Sequence, residues 1–388
     1  MSGNAASKVN ISDPSDRVLA LDAVRGFTVA MMVFVNGAGD YMHRWRPFTH
    51  APWNGWTFAD LGFPAFLLMM GAAMVFSIDK RMAAGYTTRR LIYHITKRGI
   101  LLILFGWVLS AFTASTNSLG DFFGSLRLTG ILPKLGAVYL LGGLAYILLK
   151  TPARIITFSA IALAAHTWVV FGAGAKYAPD DNIQITIDRA ILGNHGLPAM
   201  VRETDADGLL TILPGIVCFL AGALAGRFFQ TKLHGFTKGS RMVVAGLLMI
   251  GVAIAADRFL PINRSMWTAS YVILTCGWTA AVLGLAYWLI DGLGFRQALR
   301  PLFVYGRNPL AAFLLLGLFT TILVRVRVPE SEFGHSEANR ALVTYLFDKL
   351  KSFVTNPYVR SHAIGAAQVI MIFMILWILD RRRIYWRA

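Results

Sequence analysis

FVNGAGDYMHRWRPFTHAPWNGWTFADLGFP, running from Phe34 to Pro64, lies between two strongly apolar runs, yet carries Asn36, Asp40, His43, His50, Trp53, Asn54 and Asp60 near a membrane boundary. A solvated loop accounts for part of that polarity. It does not account for an imidazole flanked by Pro and Trp and followed by a carboxylate that leads into the next hydrophobic run. The stretch reads as a site placed where a chain leaves and re-enters the bilayer.

Composition agrees with that placement. The 388 residues are 56% hydrophobic and only 15% charged, and the mean hydropathy is +0.57, too apolar for a soluble domain of this size. Crossing the hydrocarbon core takes about twenty predominantly apolar residues, and the chain offers roughly ten such runs. The expected fold is an all-α polytopic membrane bundle, with one domain over 18–380 between polar tails at 1–17 and 381–388. The net charge of +17 does not point to nucleic acid, because the basic residues form short clusters between hydrophobic runs, as a positive-inside bias produces. Cys218 and Cys276 fall inside apolar runs and imply packing rather than a disulfide framework. The first seventeen residues lack an apolar core with a small-residue cleavage site, so no removable signal peptide is expected.

Outward from the opening stretch, the first span covers about Val18 to Asn36 and holds Asp22 and Arg25. A spacing of three places them on one helix face; they form either a structural intramembrane pair or the mouth for an anionic ligand. The second span, about Trp56 to Ser77, is followed by a basic loop with Lys80, Arg81, Arg89, Arg90, Lys97 and Arg98. Spans three to five are expected near 99–115, 131–149 and 155–172. A polar excursion from Ala173 to Asp207 follows, with Asp188, Glu203 and Asp205. Spans six to eight are expected near 208–226, 242–256 and 266–290, the ninth near Pro301 to Val324, and the tenth near Arg360 to Leu379. A mixed-charge loop with Glu330, Glu332, Glu337 and Arg340 separates the last two. With an even number of spans and basic alternate loops, both termini are expected in the cytoplasm and the Phe34–Pro64 stretch outside.

His50 titrates near neutrality, which suits it to take a proton from an incoming nucleophile or to attack an acyl group. Asp60 either orients His50 or caps the second helix. Asn36 either donates to a developing oxyanion or closes the first helix. No metal is expected, since His43 and His50 are seven apart across Pro47 without a paired-histidine helix motif. On the same outer side stand Lys134 and the INRSMWTASY segment. Asn263, Ser265 and Trp267, joined by Trp53 and Asn54, would make an aromatic-walled cup suited to a sugar. Arg307 and Asn308 of GRNP lie instead near the depth of Arg25. From Arg25 to Asn36 is about 16 Å of helix, so a ligand bridging the two levels is long, thin and anionic at its inner end.

Together, LDAVRGF, FVNGAGDY, THAPWNGWTFADLGFPAFLLMMG, GILPKLGAVYLL, DADGLLTILPG, INRSMWTASYVILTCGW, YGRNPLAAF and RRRIYWRA resemble the heparan-α-glucosaminide N-acetyltransferase family, including its bacterial NagX-like members. The resemblance covers nearly the whole chain. It implies a transmembrane acyltransferase of the bacterial inner membrane, surrounded by lipid, that uses cytosolic acetyl-CoA and acetylates an amino sugar on the opposite side. It assigns His50 as the catalytic histidine and Asn36 as the active-site asparagine. Coenzyme A would run with its phosphates toward Arg25 and Arg307 and its thioester toward His50, with Asn308 and Lys134 as further coenzyme A contacts. The family's usual Gln-Arg pair is Pro133 and Lys134 here. The large luminal domain of the lysosomal relatives is not expected, and a homodimer is suggested by the resemblance. Direct transfer with His50 as general base and an acetyl-His50 intermediate both remain open. The rival is a sugar or amino-sugar transporter with a polar midplane path.

Overall fold

The computed structural model describes residues 18–113, 126–172, 176–193, 204–328 and 340–386. The N-terminal tail, Glu203, and Glu330, Glu332 and Glu337 of the mixed-charge loop lie outside the described residues. Among those described, nine helices are long and apolar enough to cross a membrane. In chain order they include α1 (Leu19–Asn36), α2 (Gly62–Ala83), α3 (Thr88–Thr113), α4 (Ile131–Leu149) and α5 (Pro152–Phe171). The short α6 (Ile183–Leu192) precedes α7 (Ile212–Phe229), α8 (Gly235–Ala256) and α9 (Ala269–Ala286). After α10 (Arg300–Arg307), α11 (Pro309–Arg325) and the short α12 (Leu342–Lys349), the chain ends on α13 (Pro357–Arg381). The fold is the all-α polytopic bundle that the hydropathy pattern implies.

Two expectations are corrected. The ninth span is not continuous: α10 and α11 meet at an 86° bend. Pro309 has no amide hydrogen, and its ring disfavours helical geometry at the preceding residue; Asn308 accordingly leaves the helix, with φ −126° and ψ 51°. The basic segment after the second span is not a loop. Lys80 and Arg81 close α2, and Arg89, Arg90, Lys97 and Arg98 belong to α3. Cations at the end of α2 complement its negative pole, and Arg98 lies over the Tyr139 ring, 4.7 Å from its centre.

Without water to drive apolar association, helices inside a bilayer hold together by close packing of small residues. Gly26 of α1 meets the Leu302 carbonyl of α10, and Gly306 of α10 meets the Asp22 carbonyl in return. Gly71 and Gly222 do the same between α2 and α7, against Phe219 and Leu68. Either added Cβ would overlap backbone atoms. Apolar side chains such as Ile161, Trp168, Leu248 and Val252 are exposed along α5 and α8, where helices of this length face lipid.

The bundle has two ends of different chemistry. α1 starts at the Asp291 carboxylate, which accepts from the Leu19 and Ala20 amides at 3.1 and 2.9 Å, and ends at Asn36 beside the His50 loop. α2 returns toward the basic start of α3. The His50 loop and the 257–268 loop therefore share one end, and they are joined by a bridge between Asn54 and Asn263. The α2–α3 turn, the α10–α11 break and the C-terminal tail share the other.

Candidate active site

Thr57 starts a short turn, Phe58–Leu61, through a reciprocal capping box with Asp60. The two oxygens of Asp60 divide the work that the sequence left as alternatives. Oδ2 accepts from the Thr57 amide at 2.9 Å, the Thr57 hydroxyl at 3.1 Å and the Ala51 amide at 3.2 Å. Oδ1 accepts from His50 Nδ1 at 2.7 Å. Asp60 both caps the turn and orients the imidazole. The Tyr271 hydroxyl donates to the Asp60 carbonyl at 2.6 Å, which fixes the turn against α9.

Asp60 is fully buried, while the His50 side chain is 39% exposed. With Nδ1–H committed to the carboxylate, Nε2 carries the lone pair. Partial burial holds the imidazole below its ordinary proton affinity; the Asp60 hydrogen bond opposes this, and the positive charge of Arg264 adds to it. The neutral, base-competent form therefore prevails at neutral pH. Arg264 Nε lies 3.4 Å from the same Asp60 oxygen. In sequence Arg264 reads as part of a turn or, with Asn263 and Ser265, of the sugar cup, and not as a partner of Asp60.

The neighbouring wall is polar and aromatic. Asn54 Oδ1 accepts from the Tyr177 hydroxyl at 2.6 Å and from Asn263 Nδ2 at 3.3 Å, so three loops converge on one amide. The rings of Trp53 and Tyr177 are 5.1 Å apart. Asn263 Oδ1 accepts from the Met266 amide at 2.8 Å, and Ser265 is half-buried in that turn. Trp267 is buried in a left-handed conformation, φ 50°. Its ring faces Lys134 Nζ at 3.5 Å.

Asn36 Nδ2 donates to the Met32 carbonyl at 2.8 Å, closing α1 and leaving one amide hydrogen of the side chain beyond that bond. A second imidazole at this end escaped the sequence reading. His362 of α13 is buried, stacks on Trp45 at 4.4 Å and shares an aromatic cluster with Phe34 and Phe48. Its Nδ1 donates to the Tyr358 carbonyl at 2.8 Å, and Nε2 has no hydrogen-bond partner. Only the fold signals it, because more than three hundred residues separate it from the loop it packs against.

At the opposite end a cavity of about 850 Å³ is lined by Arg25, Arg81, His94, Lys97, Arg98 and Arg307 around an apolar throat that includes Phe66, Met70, Leu132 and Leu135. From Arg81 to Phe66 is about 22 Å of helix, and Phe66 lies about 9 Å of helix beyond Asp60. Arg25 is also paired with Asp22 at 2.7 Å and donates to the Gly306 carbonyl at 2.7 Å. It serves both roles that the sequence left open, the structural pair and the cavity wall. Arg307 is paired with Asp380 at 3.1 Å.

Lys134 and Asn308, expected among the coenzyme A contacts, do not line the cavity. Lys134 is buried toward the histidine end, donating to the Ala206 carbonyl at 2.9 Å. Asn308 holds the C-terminal tail, donating to the Ile384 carbonyl at 3.1 Å and accepting from the Trp386 amide at 3.0 Å. That hold places Tyr385 and Trp386 in the cavity wall. No cluster of His, Cys, Asp or Glu suited to a metal occurs among the described residues.

Comparison with known proteins gives a consistent result. The chain is 27% identical to human heparan-alpha-glucosaminide N-acetyltransferase and 25% identical to the mouse protein, in each case over 77% of its own length. It spans about half the length of these curated relatives, 52% and 53%. The profile of one family matches residues 17–262, a stretch that contains Asn36, His50, Asp60 and Lys134. The chain belongs to that family, described as heparan-alpha-glucosaminide N-acetyltransferase, catalytic.

Proposed function

We propose that the protein is a transmembrane acetyltransferase that takes an acetyl group from acetyl-CoA at the basic end and delivers it to an amino-sugar amine at the histidine end. The observation that carries this reading is the His50–Asp60 pair, an oriented imidazole with an open Nε2, set across the bundle from a cationic cavity. The cavity fits the donor. Its volume lies within the ~300–1,000 Å³ common for cofactor sites, its lining includes no carboxylate, and its throat is apolar. Arg81, Lys97 and Arg98 suit phosphate groups, with Arg25 and Arg307 deeper along the wall. The N-terminus of α11 at Pro309, which also lines the cavity, favours negative charge.

In this reading His50 Nε2 removes the proton that the amine loses as its nitrogen bonds to the acetyl carbon. The proton then passes to the sulfur that departs. The spare Asn36 amide hydrogen is the donor for the developing oxyanion, and Trp53, Asn54, Asn263, Ser265 and Trp267 shape the acceptor side. In this reading the single domain at 18–380 sits in a bacterial inner membrane with both termini on the cytoplasmic side, which the alternation of basic clusters supports. In proteoliposomes supplied with acetyl-CoA and glucosamine, His50→Ala is expected to lower transfer by about 10²–10⁴-fold while acetyl-CoA still raises thermal stability. An unchanged rate would remove His50 from the chemistry. Labelled acetyl retained on protein given acetyl-CoA alone would favour an acetyl-His50 intermediate over direct transfer.

One observation favours a second reading: the α10–α11 break resembles the discontinuous helices of transporters. Sugar uptake without acetyl-CoA is the result that would support it.

A further inference from the structure

Asp60 Oδ1 is shared. It takes the His50 Nδ1–H at 2.7 Å and faces Arg264 Nε at 3.4 Å. Arg264 comes from a different loop, beyond the residues matched by the family profile. Its backbone is fixed from both sides, since Asn263 is tied to Asn54 and the Arg264 carbonyl accepts from the Trp267 amide at 3.3 Å. The guanidinium is 27% exposed, so it stands at the rim of the site rather than in the core. An ion pair to a fully buried carboxylate is screened little.

We propose that Arg264 is a positioning residue for His50: through Asp60 it fixes the imidazole in one orientation and one tautomer and sets the pH at which Nε2 becomes available as a base. This rests on the assignment of His50 as the base in acetyl transfer. Two effects follow from the shared oxygen. The cation keeps Asp60 an acceptor, so His50 holds its proton on Nδ1 and leaves Nε2 open. The same cation repels the imidazolium and counters the pull of the carboxylate on it. The charged groups facing this arrangement are Asp60 from the Phe58–Leu61 turn, Arg44 from the His50 loop and Arg264 itself; Lys134 of α4 and Asp207 before α7 act on the Arg264–Tyr271 side. Asp60 is the one carboxylate among the charged groups acting on His50.

The test compares full pH–rate profiles of the wild type, Arg264→Gln and Arg264→Lys in proteoliposomes, using acetyl-CoA and glucosamine. Removing the cation makes the imidazolium easier to form, so the acid limb of kcat/KM is expected to move to higher pH by about one unit in Arg264→Gln. KM for acetyl-CoA stays unchanged, because the donor cavity is at the other end. Arg264→Lys, which keeps the charge, is expected to restore the wild-type acid limb. On an Asp60→Asn background the Arg264→Gln loss should shrink, because the shared partner is gone. An unshifted acid limb, or Lys behaving like Gln, overturns the proposal.

Should Arg264→Gln fail to fold, Arg264→Met, which keeps the length of the side chain and removes its charge, takes its place with the same expected shift and the same overturning result. Should the wild type transfer no acetyl group, the functional reading fails by itself. The pH dependence of His50 modification by diethylpyrocarbonate, with and without Arg264, then tests the positioning role: a midpoint raised in Arg264→Gln supports it, and an unmoved midpoint overturns it.

Discussion

At the basic end, Arg25, Arg81, Lys97, Arg98 and Arg307 share one cavity wall that contains no carboxylate. At the histidine end a single carboxylate oxygen, Asp60 Oδ1, faces both His50 and Arg264, while Oδ2 is held by the Thr57 and Ala51 amides and the Thr57 hydroxyl. Surplus positive charge draws in and holds an anion, and it tolerates sliding because several cations share the load. A proton-transfer group needs the reverse, a fixed geometry and an affinity tuned by nearby charges. In the proposed reading the difference between the ends is the difference between binding and chemistry, and substitutions at each should fail differently.

The largest effect is expected from Asp60→Asn. The amide can still accept at the capping positions, but it no longer holds His50 as an anion does. Transfer is expected to fall by about 10²–10³-fold, read as kcat with KM for acetyl-CoA constant. A change confined to KM would mean that Asp60 is not part of the chemistry.

At the basic end, Arg81→Ala and Arg98→Ala are each expected to raise KM for acetyl-CoA by about tenfold, with kcat preserved. The effect should weaken at high salt, since charges near the mouth are screened. A fall in kcat alone would break the division between the ends.

Between these lies Asn308→Ala. Two hydrogen bonds to the tail are lost, at about 0.7 kcal/mol each, and cleavage by trypsin at Arg381–Arg383 should speed up about tenfold. An unchanged cleavage rate would show that the Arg307–Asp380 pair alone holds the tail.

The smallest effect concerns Asp188 of α6, buried beside Gly208, where burial raises its carboxyl to about 6. The folded state binds this proton more tightly than the unfolded chain. The stability it contributes is therefore present below the unfolded value near 3.8 and is lost as pH rises through about 6. Asp188→Asn should raise the melting temperature at pH 7.5 by about 2–4 °C and leave acetyl transfer unchanged. A lower melting temperature would show that the charged form is needed to hold the Leu209 amide.

Much of the fold was legible because bilayer crossing imposes length and apolarity on contiguous residues. The spans near 18–36 and 131–149 match α1 and α4 almost to the residue. The ninth span misled because its hydropathy continues through Asn308 while its backbone does not. At the site, His50, Asn36 and Asp60 stood out as polar residues in one short stretch. Arg264 reads in sequence as part of a turn or of the sugar cup, and His362 as an ordinary helix residue, until the fold brings each to that stretch.

The sequence by itself determined the membrane class and the approximate places of most spans, and it singled out one short polar stretch between two of them, because these depend on local composition. Only the tertiary structure decided which charges meet. It assigned one Asp60 oxygen to His50 and Arg264 and the other to the Thr57 turn. It left Lys134 out of the basic cavity, against the Ala206 carbonyl, and set Asn308 on the tail. Hydrogen bonds act over about 3 Å, and whether two residues hundreds of positions apart come within that distance depends on how the helices pack.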